Sequence, residues 1–408
     1  MLLFLLPGLV LVSCEDDTDD LHPPVIHMIR TNMPEEGDIP IDDAGLGQTI
    51  VIVGDHFQTL QEVYINELMT EFLPTFVTRT HIVITIDDET PTIATDPDAT
   101  NTIRLVNAAG ETTRDFNILP PPPLVYSICK EFAQPGDSLT IEGLYFYFVE
   151  EIAFPGEIIS TEFVSSADGR TIRVKVPEGI TEAGTVEVIT RAGSDNPLPL
   201  YRFNDREGMF CDFDDINTFA PGDGDPPEVV NEPDPVDGYY VKMQKFNIPA
   251  PMWWDGDNTL NLFFDVEEFN HEAADPSEFA LKFEFNTAVS IKSGWFEMRI
   301  YEQGEEGYFY RFMPWNTPSN PEEYWNIGTR HDFYTDGWKT MIVPLNLFRE
   351  KPENNPDGDT MTSVSELKDM NRFVMAFQNH MPPMAEPISE LHLWFDNFRI
   401  VRISNQAE

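Results

Sequence analysis

Only three cysteines occur among the 408 residues, Cys14, Cys129 and Cys211, too few for a disulfide scaffold. Basic residues are scarce too: 25 Lys and Arg stand against 71 Asp and Glu, a formal charge of −46. Such a surface repels phosphate backbones and polyuronates, so nucleic acid is excluded as a partner. No Gly-x-Ser-x-Gly elbow, His-Glu-x-x-His pair or phosphate-binding loop is present, and the eight histidines are scattered without metal-ligand spacing. With 71 carboxylates, close acidic pairs arise by chance, so a glycosidase pair cannot be read from their presence. Tryptophan is missing from the first 204 residues altogether; all seven lie beyond, at 253, 254, 295, 315, 325, 338 and 394.

What is present suits cores made of short strands. Hydrophobic residues make up 41% and aromatics 12%, which excludes wholesale disorder. The 34 prolines and 24 glycines follow no triplet repeat and punctuate the chain with turns. At roughly 150 residues per domain, the length predicts about three domains.

The amino terminus reads as an address. Residues 2–12 form an apolar run of secretory length, too short to span a bilayer as a helix. It runs into Leu11-Val12-Ser13-Cys14, which resembles the bacterial lipoprotein cleavage signal, although no Lys or Arg precedes it. That resemblance implies cleavage before Cys14, acylation of the cysteine and a stable lipid anchor in the outer membrane. The acidic run Glu15-Asp16-Asp17-Thr18-Asp19-Asp20 is a self-repelling spacer. Similar runs in outer-membrane lipoproteins of glycan-degrading bacteria accompany export to the cell surface.

Next comes an internal repeat. Gly47-Gln48-Thr49-Ile50-Val51-Ile52-Val53-Gly54-Asp55-His56-Phe57 aligns with Gly136-Asp137-Ser138-Leu139-Thr140-Ile141-Glu142-Gly143-Leu144-Tyr145-Phe146, 89 residues on, and the offset persists at Val63/Ile152. Alternation at Ile82-Ile84-Ile86 and Ile172-Val174-Val176 predicts half-buried strands, and Ala109-Gly110 and Ala192-Gly193 predict turns. The Gly-x-Thr/Ser-hydrophobic-x-Ile-x-Gly-x-x-Phe pattern resembles the IPT/TIG immunoglobulin-like domain, which implies a spacer without catalytic residues. The expected organisation is all-β: signal peptide 1–13, acidic tether 14–22, IPT/TIG sandwiches over 23–119 and 120–204, and a larger jelly-roll β-sandwich over 205–408. The proline run at 120–123 is expected to hold its neighbours apart.

The third domain presents rings beside polar groups. In residues 295–301, Phe296, Met298 and Ile300 fall on one face, and Trp295, Glu297, Arg299 and Tyr301 on the other. Leu391, Leu393 and Phe395 similarly oppose His392, Trp394 and Asp396, and residues 279–286 set four apolar side chains against Ala280, Lys282, Glu284 and Asn286. This reads as a sandwich with one wetted sheet. The turn-rich stretch 312–326 carries Trp315, Tyr324, Trp325 and Asn326, and Trp253-Trp254 lies in another loop, with one ring expected inward and one outward. A pyranose offers an apolar face to stack on indole or phenol and a rim of hydroxyls to hydrogen-bond. Trp295, Trp315, Tyr324, Trp325, Trp254, Glu297, Arg299 and Asn326 are therefore the candidate ligand contacts, whereas Trp338 and Trp394 read as structural. A short helix is expected over 363–370. The Asp-Gly-Asp runs at 223–225, 255–257 and 357–359 have donors for a structural calcium, but most such runs are plain turns; no cofactor is expected. Cys129 and Cys211 are expected to be free thiols.

Lipidated acidic start, tandem IPT/TIG-like units and tryptophan-rich jelly roll together resemble the surface glycan-binding proteins of polysaccharide-utilisation systems, the last part being similar to their xyloglucan-binding domain. The resemblance implies non-catalytic capture of polysaccharide beside a TonB-dependent transporter and its glycan-capturing lipoprotein. It carries ligand contact onto Trp295, Tyr324 and Trp325. The acidic charge adds the expectation of an uncharged hemicellulose. Two readings stay open here: a surface glycanase, and a structural adhesin using the same aromatics on protein partners.

Overall fold

The computed structural model describes residues 22–33, 39–197, 199–221, 226–252, 258–263, 273–302, 307–314, 316–317, 329–330, 332–350, 358–380 and 385–404. Cys14, the acidic tether, Trp253, Trp254, Trp315, Tyr324, Trp325, Asn326 and most of the Asp-Gly-Asp positions lie outside the described residues. The fold is all-β, and helix among the described residues is confined to 3₁₀ turns. One of these, Val364–Asp369, supplies the expected helical segment; Ser363 and Glu366 close a capping box on it. Two compact units result, Met1–Pro121 and Pro122–Glu408.

In the first unit, a sheet of Val25–Thr31, Thr49–Asp55 and His81–Thr85 and a sheet of Leu68–Met69, Leu60–Ile65, Thr102–Asn107 and Gly110–Asp115 share one core. The second unit begins with the same plan. Leu124–Ile128, Ser138–Leu144, Thr171–Lys175 and Phe163–Ser165 form one sheet, and Ile158–Ser160, Val149–Phe154, Glu187–Thr190 and Gly193–Asp195 the other. The repeated Gly-x-x-Phe signature has a steric cause. A Cβ on Gly54 would lie 1.8 Å from the Val25 carbonyl oxygen and 2.5 Å from the Phe57 ring; on Gly143 the corresponding distances are 2.0 Å to Leu124 and 2.4 Å to Phe146. The aromatic ring thus packs where a side chain would be, and the residue before it turns left-handed in both copies (His56 φ 65°, Tyr145 φ 61°).

The carboxyl-terminal part is a sandwich of two larger sheets. The first carries Glu228–Val230, Tyr240–Ile248, Ile388–Arg402, Phe279–Asn286 and Lys339–Pro344 in that order, with Met209–Cys211 also on the long strand Ile388–Arg402. The second, five-stranded, runs Thr259–Phe263, Arg372–Gln378, Trp295–Tyr301, Tyr308–Phe312, Arg349–Glu350. Their facing sides interdigitate a phenylalanine-rich core in which Phe283 stacks on Phe398 at 5.2 Å and Phe296 meets Phe395 edge-on. Cys129 and Cys211 are unbridged.

The expectation that the outer side of strand Phe279–Asn286 is wet is overturned. Lys282 and Glu284 are buried, because the second immunoglobulin-like sandwich packs on them within the same compact unit; Asn286 is buried too, its Oδ1 accepting from Thr335 Oγ1 at 3.0 Å. Glu131, from that sandwich, accepts from Lys282 Nζ (2.7 Å) and Arg399 Nη2 (2.6 Å). Arg399 also reaches Glu284 at 3.1 Å, and Thr340 Oγ1 donates to Glu284 (2.8 Å) while accepting from the Glu131 backbone N–H (2.9 Å). Burial raises the Glu131 carboxyl, but Arg399 and Lys282 outweigh it and hold the group below its usual range. Burial pushes Glu284 up to about 7, aided by the neighbouring Glu131 carboxylate and opposed by Arg399. Trp338, Trp394 and Tyr240 pack together on this same outer side, so both tryptophans are structural.

Removing one partner from a buried ion cluster strands the others without water. Glu131→Ala is therefore expected to cost about 3–5 kcal/mol in denaturant unfolding of the chain. A second outcome follows from the raised Glu284. Its folded pKa of about 7 exceeds the ordinary 4.5, so its stabilising contribution is full below pH ~4.5 and is lost as pH rises through about 7. Glu284→Gln removes this loss. Between pH 5 and pH 8 the variant is expected to gain on the order of 2–3 kcal/mol relative to the parent in unfolding free energy. Comparison with the parent cancels the general repulsion among the other carboxylates.

Candidate functional site

The side of the five-stranded sheet that turns away from the core is the candidate site. The predicted alternation holds: Phe296, Met298 and Ile300 enter the core, which leaves Trp295, Glu297, Arg299 and Tyr301 on the opposite side. Antiparallel register places Asn261, Phe263, Arg372, Val374, Ala376, Gln378, Phe309 and Arg311 on that side with them.

These residues form a cross-strand stack. Phe263, Arg372 and Tyr301 lie side by side on three adjacent strands, and Arg299 pairs with Phe309 on the next. The Arg372 guanidinium lies 5.1 Å from the Phe263 ring centroid and 5.5 Å from that of Tyr301; Arg299 lies 4.9 Å from Tyr301 and 4.5 Å from Phe309. Rings and guanidinium groups therefore alternate across four strands, each cation resting on π-faces. Arg372 Nη2 also donates to Asn261 Oδ1 at 2.8 Å. This end of the sheet is open: Phe263 is 37% exposed, and Asn261, Arg299, Tyr301 and Arg372 are half-buried.

The other end is closed. Trp295 is only 4% exposed, which corrects the expectation of an open indole plate. The Arg311 guanidinium lies 4.2 Å from its ring, and His380 meets it edge-on at 5.5 Å. Glu297 is likewise buried, contrary to its reading as a presented group, and accepts from Gln378 Nε2 at 3.0 Å. Gln378 Oε1 in turn lies 2.5 Å from His380 Nε2. Arg299 is placed as expected, half-exposed, with Glu297 Oε1 3.8 Å from its Nη1. Alternation along a strand tells which residues share a side; it does not tell which part of that side is covered.

Phe263, Phe309, Arg311, Arg372, Gln378 and His380 escaped the sequence reading. Residues 372–378 do alternate polar or small with large apolar side chains, and that pattern could have marked the strand. The pairing of Phe263 with Tyr301 through Arg372, 109 residues downstream of Phe263, is set by strand order and has no local signal. Chemically the face offers flat surfaces and N–H donors. No group of three or more His, Cys, Asp or Glu able to hold a metal occurs among the described residues. Because Trp295 is packed, Trp295→Ala is expected to cost about 3–5 kcal/mol of stability in denaturant unfolding; a change confined to ligand affinity would return the ring to the contact surface.

Comparison with known proteins places this domain. Residues 203–402 match the family described as the surface glycan-binding protein B xyloglucan binding domain. An IPT/TIG domain-containing protein of Bacteroides ovatus is 35% identical over 151 residues, covering 37% of this chain and 31% of that relative. The chain thus aligns with about a third of the length of the curated relative it matches. In fold, the chain resembles a surface glycan-binding protein of Prevotella bryantii (TM-score 0.60, 18% identity, covering 94% of this chain and 99% of the other). It also resembles SGBP-B from a complex xyloglucan utilization locus in Bacteroides uniformis (TM-score 0.53, 18% identity, covering 94% and 100%). The carboxyl-terminal domain, with its ring-lined sheet, belongs to the xyloglucan-binding-domain family of surface glycan-binding protein B.

Proposed function

We propose that this protein is a non-catalytic, cell-surface polysaccharide binder that captures a neutral hemicellulose for degradation and uptake. The family match over residues 203–402 carries the reading. The alternating ring–guanidinium side of the five-stranded sheet supports it, since flat apolar surfaces edged by N–H donors suit a pyranose chain. Acylation at Cys14 would anchor the chain in the outer membrane, and the acidic tether and immunoglobulin-like units would carry the binding domain outward. A TonB-dependent transporter and its glycan-capturing lipoprotein are the proposed partners. Trp254, Trp315, Tyr324, Trp325 and Asn326, outside the described residues, remain proposed contacts.

Affinity electrophoresis and calorimetry with a panel of plant and fungal polysaccharides test the reading. Xyloglucan or another hemicellulose is expected to bind, polygalacturonate is expected to bind more weakly, and incubation is expected to release no new reducing ends. Trp325→Ala is expected to cost about 2 kcal/mol, a roughly 30-fold loss of affinity. Failure of every glycan to bind would overturn the reading, and unchanged affinity of the variant would remove Trp325 from the site.

A further inference from the structure

The long strand Ile388–Arg402 bulges at one place against Phe279–Asn286. Lys282 is opposite Arg399 and Glu284 opposite Asp396, so the long strand carries one residue too many between them, and Asn397 there is left-handed (φ 52°). Plain alternation would send Asp396 and Asn397 to opposite sides. With the bulge, both side chains reach Asp237, on the loop that precedes Tyr240–Ile248. Asn397 Nδ2 donates to Asp237 Oδ1 at 3.1 Å, and the Asp396 carboxyl lies within hydrogen-bonding reach of the Asp237 carboxyl.

Oxygens in this cluster go unanswered. Asp396 and Asn397 are fully buried, and Asp396 Oδ2 and Asn397 Oδ1 each lack a hydrogen-bond donor; the Asn397 backbone N–H serves only Asp396 Oδ1, at 2.8 Å. Neither Asp237 nor Asp396 has an ion-pair partner among the described residues. Arg206, whose charge reaches Asp237, is held by Asp212, and Arg399 by Glu131 and Glu284. Asp214 adds more negative charge beside the loop: it accepts from the Tyr239 N–H at 3.0 Å, and a Cβ on Gly238 would lie 2.2 Å from its Oδ2. Burial pushes the Asp237 and Asp396 carboxyls up, and the Asp237 charge pushes Asp396 further. Two carboxylates turned toward each other out of water, with a buried amide oxygen alongside, are costly without a cation among them.

We propose that Asp237, Asp396 and Asn397 hold a divalent cation, calcium, which ties the loop ahead of Tyr240–Ile248 to the long strand. Every donor is a hard oxygen, the set calcium takes, and Asp237 is only half-buried, so water completes the coordination. The Asn397 amide turns its Oδ1 to where Nδ2 now faces Asp237. Two carboxylates and a carboxamide are fewer charges than a cluster of three acids, so the affinity is modest, with a dissociation constant on the order of 10⁻⁴ M. Val236, next to Asp237, is buried with Tyr240, Trp338 and Trp394 and with Phe132 of the second immunoglobulin-like sandwich. The cation therefore braces the place where that sandwich meets the sheet, and its presence does not depend on which glycan binds.

Thermal unfolding of the full chain, stripped of metal with a chelator and returned to calcium or magnesium, tests this. Magnesium at equal concentration controls for general screening of the −46 charge. Calcium at about 5 mM is expected to raise the midpoint by about 4 °C or more beyond magnesium, and a calorimetric titration to show one saturable calcium site. Asp237→Asn is expected to lose the calcium-specific shift, while its midpoint in chelator equals or exceeds that of the parent because the repulsion is gone. Asp396→Asn repeats the test should Asp237→Asn unfold. Equal shifts by calcium and magnesium in the parent, or a calcium-specific shift that survives the substitution, overturn the proposal. A parent that ignores calcium and instead loses stability in chelator as pH rises from about 5 to about 8 holds a shared proton between the two carboxyls, which overturns it as well.

Discussion

Side chains alternate along a strand, so the two large sheets of the carboxyl-terminal domain have four sides, and their shared core uses only two. Everything distinctive about the domain follows from what happens to the other two. One is covered by the second immunoglobulin-like sandwich. The other carries the rings and guanidinium groups of the candidate site. A two-layer sandwich standing alone would leave both in water.

Covering the first side takes a polar solution to an apolar problem. Strand Phe279–Asn286 sends Lys282 and Glu284 outward, and Arg399 arrives beside them from Ile388–Arg402. Buried together, these charges need Glu131 from the neighbouring sandwich, which meets both cations. Buried ion pairs are poor sources of net stability because desolvation offsets their attraction. Their geometry is demanding, however. Glu131 also accepts from the Arg202 backbone N–H, and the Thr340 N–H donates to the Cys129 carbonyl. Together these bonds define one way of seating the sandwich on the sheet. The carboxyl-terminal domain is consequently not a bead on a string; it shares one compact unit with the module before it.

On the second side, arginine replaces part of the aromatic surface that the sequence led one to expect from tryptophan. Guanidinium groups between rings extend a flat platform across four strands while keeping N–H donors at its edge. Trp295 and Glu297 lie on the same side, yet they belong to its closed end, where Arg311, Gln378 and His380 hold them. Sharing a side with the site is a weaker statement than lining it.

The sequence by itself determined the all-β class, the duplicated sandwich with its Gly-x-x-Phe signature, and the core sides of strands 279–286, 295–301 and 391–395, because each depends on local alternation or on a repeat spacing. Phe57 and Phe146 could be matched by eye since the glycine that admits each ring is three residues away. Tertiary structure alone decided which outward sides stay wet. Lys282 and Glu284 look like surface residues until Glu131, about 150 positions earlier, is brought against them. Likewise Phe263, Tyr301 and Arg372 become one platform only when three distant strands pair in register. Burial of a sheet's second side is a property of the neighbour that lands on it, and no strand encodes its neighbour.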